Sequence, residues 1–222
     1  MKHKNSKKSI IEKNAIQLFY DLGYSDCTLR KLASASGVTH STILKHFNSK
    51  SECADLLVNK YHNSLIELVK AFSSAHDIFI DARTDKVLFY WCLHHRYIIT
   101  DDKFRKFFTE YYKGDYRPFV QVHYRLTEKI FEELYDVQFD EPEYLKDIMI
   151  YALAAAELEL VFLLDDGQIY YKEANRLLIE FFSRVFRFIS VTENDVYAFI
   201  DRFGDRLDAS LSHITACLAA EE

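Results

Sequence analysis

The chain has 222 residues, 49% of them hydrophobic, but only five Gly and two Pro. That length allows one large or two small domains with a sizeable core, and so few turn residues argue against β-rich and loop-rich folds and for long helices with short connections. The net charge of −6 is uneven: residues 1–50 hold nine Lys or Arg against three acids, a head of +6 that leaves −12 on the remainder, a distribution suited to a head that meets phosphate and a body that does not.

Residues 1–8 read as a polar, basic arm. From Ser9 the pattern turns helical, with Ile11, Ala15, Leu18, Phe19 and Leu22 on one face and Gly23 as the stop. Thr28 is an N-cap for a short second helix whose inner face is Leu29, Leu32 and Ala33. Gly37 ends that helix and Thr39 caps a third that runs through Phe47. After a break at Asn48 and Ser49, Ser51 is expected to open a fourth helix with Ala54, Leu57, Val58, Tyr61, Leu65 and Leu68 inside.

Six more helices are expected near 84–99, 101–112, 116–136, 143–165, 171–190 and 193–218. The breaks are Asp101–Asp102, Gly114, the Asp140-Glu141-Pro142 turn, the Asp165-Asp166-Gly167 turn, and Thr192 with its capping-box partner Asp195. The fold class is therefore all-α, with about nine to ten helices.

Other classes are disfavoured. Cys27, Cys53, Cys92 and Cys217 form no C-x-x-C pair, which fits reduced thiols in a cytoplasm. The basic start is followed by Ile10 and Ile11 and then polar residues again, so no secretion signal is read there. The most apolar stretch, 148–164, is interrupted by Glu157 and Glu159 and is too short and charged for a membrane span. There is no G-x-S-x-G, P-loop, H-E-x-x-H or paired E-x-x-H motif, and no catalytic residue or cofactor is assigned.

The sharpest signal is residues 28–47, TLRKLASASGVTHSTILKHF. Two short helices with a tight Gly turn make a helix-turn-helix, in which the second helix enters the major groove of duplex DNA. Here the polar outer side of that helix carries His40, Ser41, Thr42, Lys45 and His46, while Val38, Ile43 and Phe47 turn inward. Small hydroxyls permit close approach, and Lys and His reach phosphates or guanine acceptors. Tyr24 reads as a hydrophobic staple, and His46 reads equally as a packed histidine.

From Ile11 to Leu56 the sequence resembles the tetracycline-repressor family of regulators, without a gap. The resemblance is carried by Ala15, Leu18, Phe19, Gly23, Tyr24, Thr28, Leu32-Ala33, Ser36-Gly37-Val38, Thr42, Phe47, Lys50 and Leu56. It implies a helix-turn-helix DNA-binding domain (1–50) followed by a helical-bundle domain (51–222) that binds a small-molecule effector and dimerises. It implies that Arg30 reads a base, that Thr42, His46 and Lys50 contact phosphate, and that His40, Ser41 and Lys45 set sequence preference. Thr39, the cap, joins these as a DNA-facing residue. Leu44 stands where the family usually has a phosphate-binding tyrosine; Ser41 and Leu29 replace a frequent glycine and threonine.

The resemblance also implies a dimer seam in the last main helices. Ala155 represents the small-residue run in 144–164, and Leu178, Phe182 and Val185 the apolar ridge in 174–189. The aromatic-rich middle offers an effector pocket from Phe89, Trp91, Tyr97, Phe108, Tyr112 and Tyr124, with ordinary core as the alternative. Cys92, His94, His95 and His123 invite a metal reading, but adjacent helical side chains point apart, and no metal is assigned. Glu157 or Glu159 could meet a cationic ligand or an Arg across a dimer, although at least one should face solvent. The expected partners are a palindromic DNA operator, a second copy and an unknown effector, without a membrane. The alternatives are a helical-bundle enzyme, or an effector-free DNA-binding protein that organises the chromosome.

Overall fold

The structure is a computed structural model that describes residues 6–75, 78–135, 143–186 and 191–219. Every regular element among them is helical. In chain order these are α1 Lys7–Asp26, α2 Leu29–Ala35, α3 His40–His46, α4 Lys50–Ala75, α5 Ala82–Thr100, α6 Asp102–Gly114 and α7 Tyr116–Ile130. A π-helical turn, Phe131–Tyr135, follows, and then α8 Glu143–Asp165, α9 Tyr171–Phe186 and α10 Glu193–Ala219.

The capping residues foreseen in the sequence act at several of these starts. The Thr28 hydroxyl accepts from the Lys31 N–H and the Thr39 hydroxyl from the Thr42 N–H, both at 3.2 Å. Asp101 ends α5 and caps α6, accepting from the Phe104 N–H at 2.9 Å. Thr192 and Asp195 exchange the two bonds of a capping box. The fourth helix corrects the reading at one point: Lys50 begins it, and the hydroxyl of Ser49, not Ser51, accepts from the Glu52 N–H at 3.1 Å. The Asp140-Glu141-Pro142 turn lies outside the described residues.

The head is α1 to α3, with Ile11, Ala15, Phe19, Leu32, Ala33, Ile43 and Phe47 buried. Its core is continuous with that of the body, because α1 packs chiefly on α6 and α4. α5 is the central helix: it touches α4, α6, α8, α9 and α10, and is buried over most of its length. No described helix is long and apolar enough to cross a membrane.

Gly23 does not end α1 but breaks it. Its φ of 82° and ψ of 175° lie in a region only glycine adopts readily, and helix resumes to Asp26. A Cβ there would also stand 2.7 Å from Oε2 of Glu110, the oxygen that accepts from the Ser25 N–H. Gly204 is the opposite case, a helix-interior glycine with open space where a Cβ would go. Gly23→Ala should therefore destabilise the fold by about 1–3 kcal/mol and Gly204→Ala stabilise it by about 0.5–1 kcal/mol. Denaturant titration of both variants checks this, and the same sign for both would contradict it.

Candidate functional site

The helix-turn-helix is assembled as its residues demand. α2 and α3 meet through buried Leu32, Ala33 and Ile43, and Gly37 takes the turn with a φ of 62°. The Thr39 hydroxyl lies 2.9 Å from those of both Ser41 and Thr42, so three hydroxyls cluster at the start of α3. Along α3, His40, Ser41, Leu44, Lys45 and His46 are exposed and Thr42 is half-buried. Arg30 is exposed on α2. The candidates from Arg30 through His46 thus lie on the outward sides of adjoining helices. His46 is not packed, and Leu44 adds an apolar side chain, 43% exposed, to the same helix.

Lys50 is placed differently. Its Nζ lies 4.1 Å above the Tyr24 ring, and burial lowers its pKa. Tyr24 is more than a staple: its ring stacks on Tyr111 at 4.5 Å and its hydroxyl donates to Asp115. Tyr111 in turn donates to Asp55 at 2.6 Å. α6 fastens the head at further points. Lys106 donates to the Leu22 carbonyl and to Asp26, both at 2.9 Å, and Lys103 pairs with Asp21 at 2.6 Å. Asp101 accepts from both Tyr20 and Tyr97 at 2.8 Å. Those that tie α1 to the body join residues 80 or more positions apart, and local periodicity gives no sign of them.

The body holds a second constellation, largely unanticipated. His94 on α5 is hydrogen-bonded through Nδ1 to the Tyr61 hydroxyl at 2.9 Å and through Nε2 to Glu157 Oε1 at 2.6 Å. His123 on α7 places Nδ1 3.6 Å from the other Glu157 oxygen. His62 on α4 bonds the Tyr90 hydroxyl at 2.6 Å, and His95 bonds Asn175 Oδ1 at 3.0 Å. All four histidines and Glu157 are buried. Among the described residues, Nε2 of His62, His95 and His123, and Nε1 of Trp91, have no hydrogen-bond partner. A buried polar atom left unpaired costs roughly 1–3 kcal/mol, so these four atoms are places where a water or a ligand would bind. The sequence reading singled out His94, His95, His123 and Trp91, but not His62.

The remaining candidates separate. Trp91 and Phe108 adjoin this cluster, with ring centroids 5.9 and 6.1 Å from His94. Phe89 stacks on Phe72 beside an open depression of about 360 Å³, and Tyr97 lines another of about 460 Å³ with Asp101 and Thr215. Tyr112 packs on Phe162, and Tyr124 donates to Asp147. The six aromatics therefore do not line one pocket. His94 and His95 turn to different partners, Glu157 and Asn175, and among the described residues no three His, Cys, Asp or Glu are grouped to hold a metal.

Of the seam residues, Ala155 is exposed on α8. Leu178 is fully buried in the chain's own core, where a partner does not reach it. Phe182 and Val185 have side chains outside the described residues. Glu159 is exposed, as expected of one of the two glutamates, and Glu157 is the buried one.

Residues 11–57 match the family described as bacterial regulatory proteins, tetR family. That match takes in the helix-turn-helix and its flanks, 47 of the 222 residues. Two similar Pseudomonas putida proteins are the HTH-type transcriptional regulator TtgR and the probable HTH-type transcriptional regulator ArpR. Each is 30% identical over 114 residues, covering 44% of this chain and 53% of the relative, so the chain spans about half the length of the curated relatives it matches. A likeness of fold extends over the body as well. The crystal structure of the multidrug binding protein EbrR complexed with imidazole superposes with a TM-score of 0.54 at 15% identity, covering 85% of this chain and 98% of that one.

Burial also sets how the body should respond to acid. It pushes His94 down to about 3, His95 and His123 down to about 4, and His62 well below its usual value. In the unfolded chain these imidazoles bind protons near pH 6.5, about the ordinary histidine value. Between that pH and their folded values the unfolded state holds more protons, so acid favours unfolding. Burial raises Glu157, which works the other way and offsets part of the effect. Stability should be steady above about pH 7 and fall as pH drops from about 6.5 toward 4, each histidine contributing up to about 1.4 kcal/mol per pH unit. Urea denaturation across that range measures it; unchanged or rising stability would refute neutral buried histidines.

Proposed function

We propose that this chain is a cytoplasmic, sequence-specific DNA-binding transcription regulator, a repressor, whose operator affinity is controlled by a small-molecule effector. In this reading residues 1–50 bind a palindromic operator, and residues 51–222 dimerise and hold the effector. The observation that carries it is the exposed polar side of α3, capped by Thr39 and set on a +6 head. Support for an effector comes from EbrR, a multidrug binding protein seen with imidazole. Arg30, Thr39, His40, Ser41, Thr42, Lys45 and His46 face the DNA. Lys50 reaches phosphate only by leaving the Tyr24 ring.

A regulator of this kind binds duplex DNA with log affinity falling against log salt, by about 0.9 for each phosphate neutralised. Arg30→Ala and Lys45→Ala should relax preference at one position of each half-site, at about 1–3 kcal/mol, whereas Lys50→Ala should weaken all sequences alike. Binding selection on random duplexes at two salt concentrations separates these outcomes. Salt-independent affinity would overturn DNA recognition. An unchanged preferred sequence in the Arg30 and Lys45 variants would overturn base reading by them.

The dimer reading rests on α8, where Ile148, Tyr151, Ala152, Ala155 and Glu159 follow helical spacing and are exposed, Ile148 to 61%. A stripe of this kind suits a second copy of the same helix in an isologous interface. Ala155→Asp should convert a dimer to a monomer in light scattering without loss of helicity, since Ala155 is exposed in the single chain. A monomeric unmodified protein would refute the dimer.

A further inference from the structure

The polar cluster in the body can be read for what would occupy it. Its rings form one connected run: His123 to His62 at 5.2 Å, His62 to His94 at 5.7 Å, His94 to Trp91 at 5.9 Å and Trp91 to His95 at 6.4 Å. α4, α5 and α7 supply the rings, and Glu157 comes from α8.

The hydrogen-bond pattern fixes part of the ligand's chemistry. Asn175 donates its amide to the Tyr171 carbonyl at 2.9 Å, so its oxygen faces His95 and accepts from Nδ1. His95 Nε2 is then a bare acceptor. Among the described residues, Glu157 pairs with two histidines, His94 at 2.6 Å and His123 at 3.6 Å, and with neither Lys nor Arg. The buried carboxyl is balanced either by a proton or by a positive charge that arrives with a ligand. His95 Nε2 and the ionised Glu157 carboxylate thus accept, the Trp91 N–H donates, and His62 and His123 do either according to tautomer; the walls are aromatic, with Phe108 and Phe119 centroids 5.3 and 4.5 Å from His123. Aromatic faces and a desolvated carboxylate favour a cation.

We infer that the cluster around Glu157, His62, His95, His123 and Trp91 is a binding site for a small planar organic cation bearing N–H donors. The cation displaces the proton that otherwise neutralises Glu157, donates to that carboxylate and to the bare His95 nitrogen, and stacks among the rings. The inference deepens the effector-controlled reading above and rests on it for its regulatory meaning, but not for binding.

Trp91 is the only tryptophan in the chain, so its emission reports from the site. Three probes of nearly one shape separate charge from shape: benzamidine (cationic), benzamide (neutral) and benzoate (anionic). With the full chain near neutral pH, benzamidine should give a saturable change in Trp91 emission, at least about tenfold tighter than benzamide, with benzoate weakest. Glu157→Gln should abolish the preference for benzamidine over benzamide, and Glu159→Gln, on the exposed side of the same helix, should retain it. If Glu157→Gln does not fold, the ranking on the unmodified chain still decides. Benzamide or benzoate matching benzamidine, no change in emission, or a preference that survives Glu157→Gln in folded protein overturns the site. Operator binding is measured separately. Loss of DNA recognition would refute the regulator reading and leave the Trp91 titration intact; failed probe binding would refute the ligand class and leave DNA recognition standing.

Discussion

A helix packed on nearly all sides must find a partner inside the protein for each polar group it carries, and α5 is that helix here. Thirteen of its residues are buried, including Asp85, His94 and His95. Water does not solvate them, so neighbouring elements must. Asp85 is answered by the Phe79 and Ile80 N–H groups at 2.8 and 3.1 Å, which fix the chain's entry to the helix. His94 draws Tyr61 from α4 and Glu157 from α8, and His95 draws Asn175 from α9. The arrangement of the body around α5 is thus set by polar pairing as well as apolar burial.

The same helix ends on Asp101, and there the body meets the head. One carboxylate caps α6 and accepts from Tyr97 of α5 and Tyr20 of α1. Desolvation and Asp101 together push the Tyr20 hydroxyl up to about 12, so it stays a donor throughout the physiological range. α6 then holds α1 through Lys103, Lys106 and Glu110, and the Tyr24–Tyr111 stack reaches Lys50 at the edge of the helix-turn-helix. From the histidine cluster to the head there is a contiguous run of packed rings and charged hydrogen bonds. A shift of α5 or α6 would change how the head is held.

The local grammar of the fold was legible in the sequence. Thr28, Thr39, Asp101 and Thr192 cap helices because a hydroxyl or carboxylate before an apolar-periodic run has an N–H to accept, and that relation spans only a few residues. Gly37 was legible for the same reason. Gly23 was half legible: an interruption of the helix was foreseen, but not the resumption of helix beyond it, which the Ser25–Glu110 bond to α6 accompanies. The polar cluster could not be read, because His62, His94, His123 and Glu157 come from four helices and only the tertiary packing brings them together. Glu157 and Glu159 look alike in sequence. Being two apart on a helix, they point to different sides, one into the core and one to solvent. The aromatics failed as a single pocket for a related reason: a chain with 15 Tyr and 18 Phe uses most of them as ordinary core.

The division of charge gives the architecture a direction. For the duplex partner proposed above, a head of +6 is favoured over a body of −12, so the field would orient the encounter before any contact forms. Part of the head's charge is engaged within the chain. Lys31, though exposed, donates to the Asp26 carbonyl at 2.9 Å, and Lys50 lies on the Tyr24 ring. Arg30, Lys45 and the histidines of α3 remain on the exposed surface. The cations of one head limit the affinity that a single copy would reach through phosphate contacts. In the dimer proposed above, a pair of heads would double those contacts without new chemistry. That is the physical reason an exposed stripe on α8, far in sequence from α3, bears on the proposed recognition.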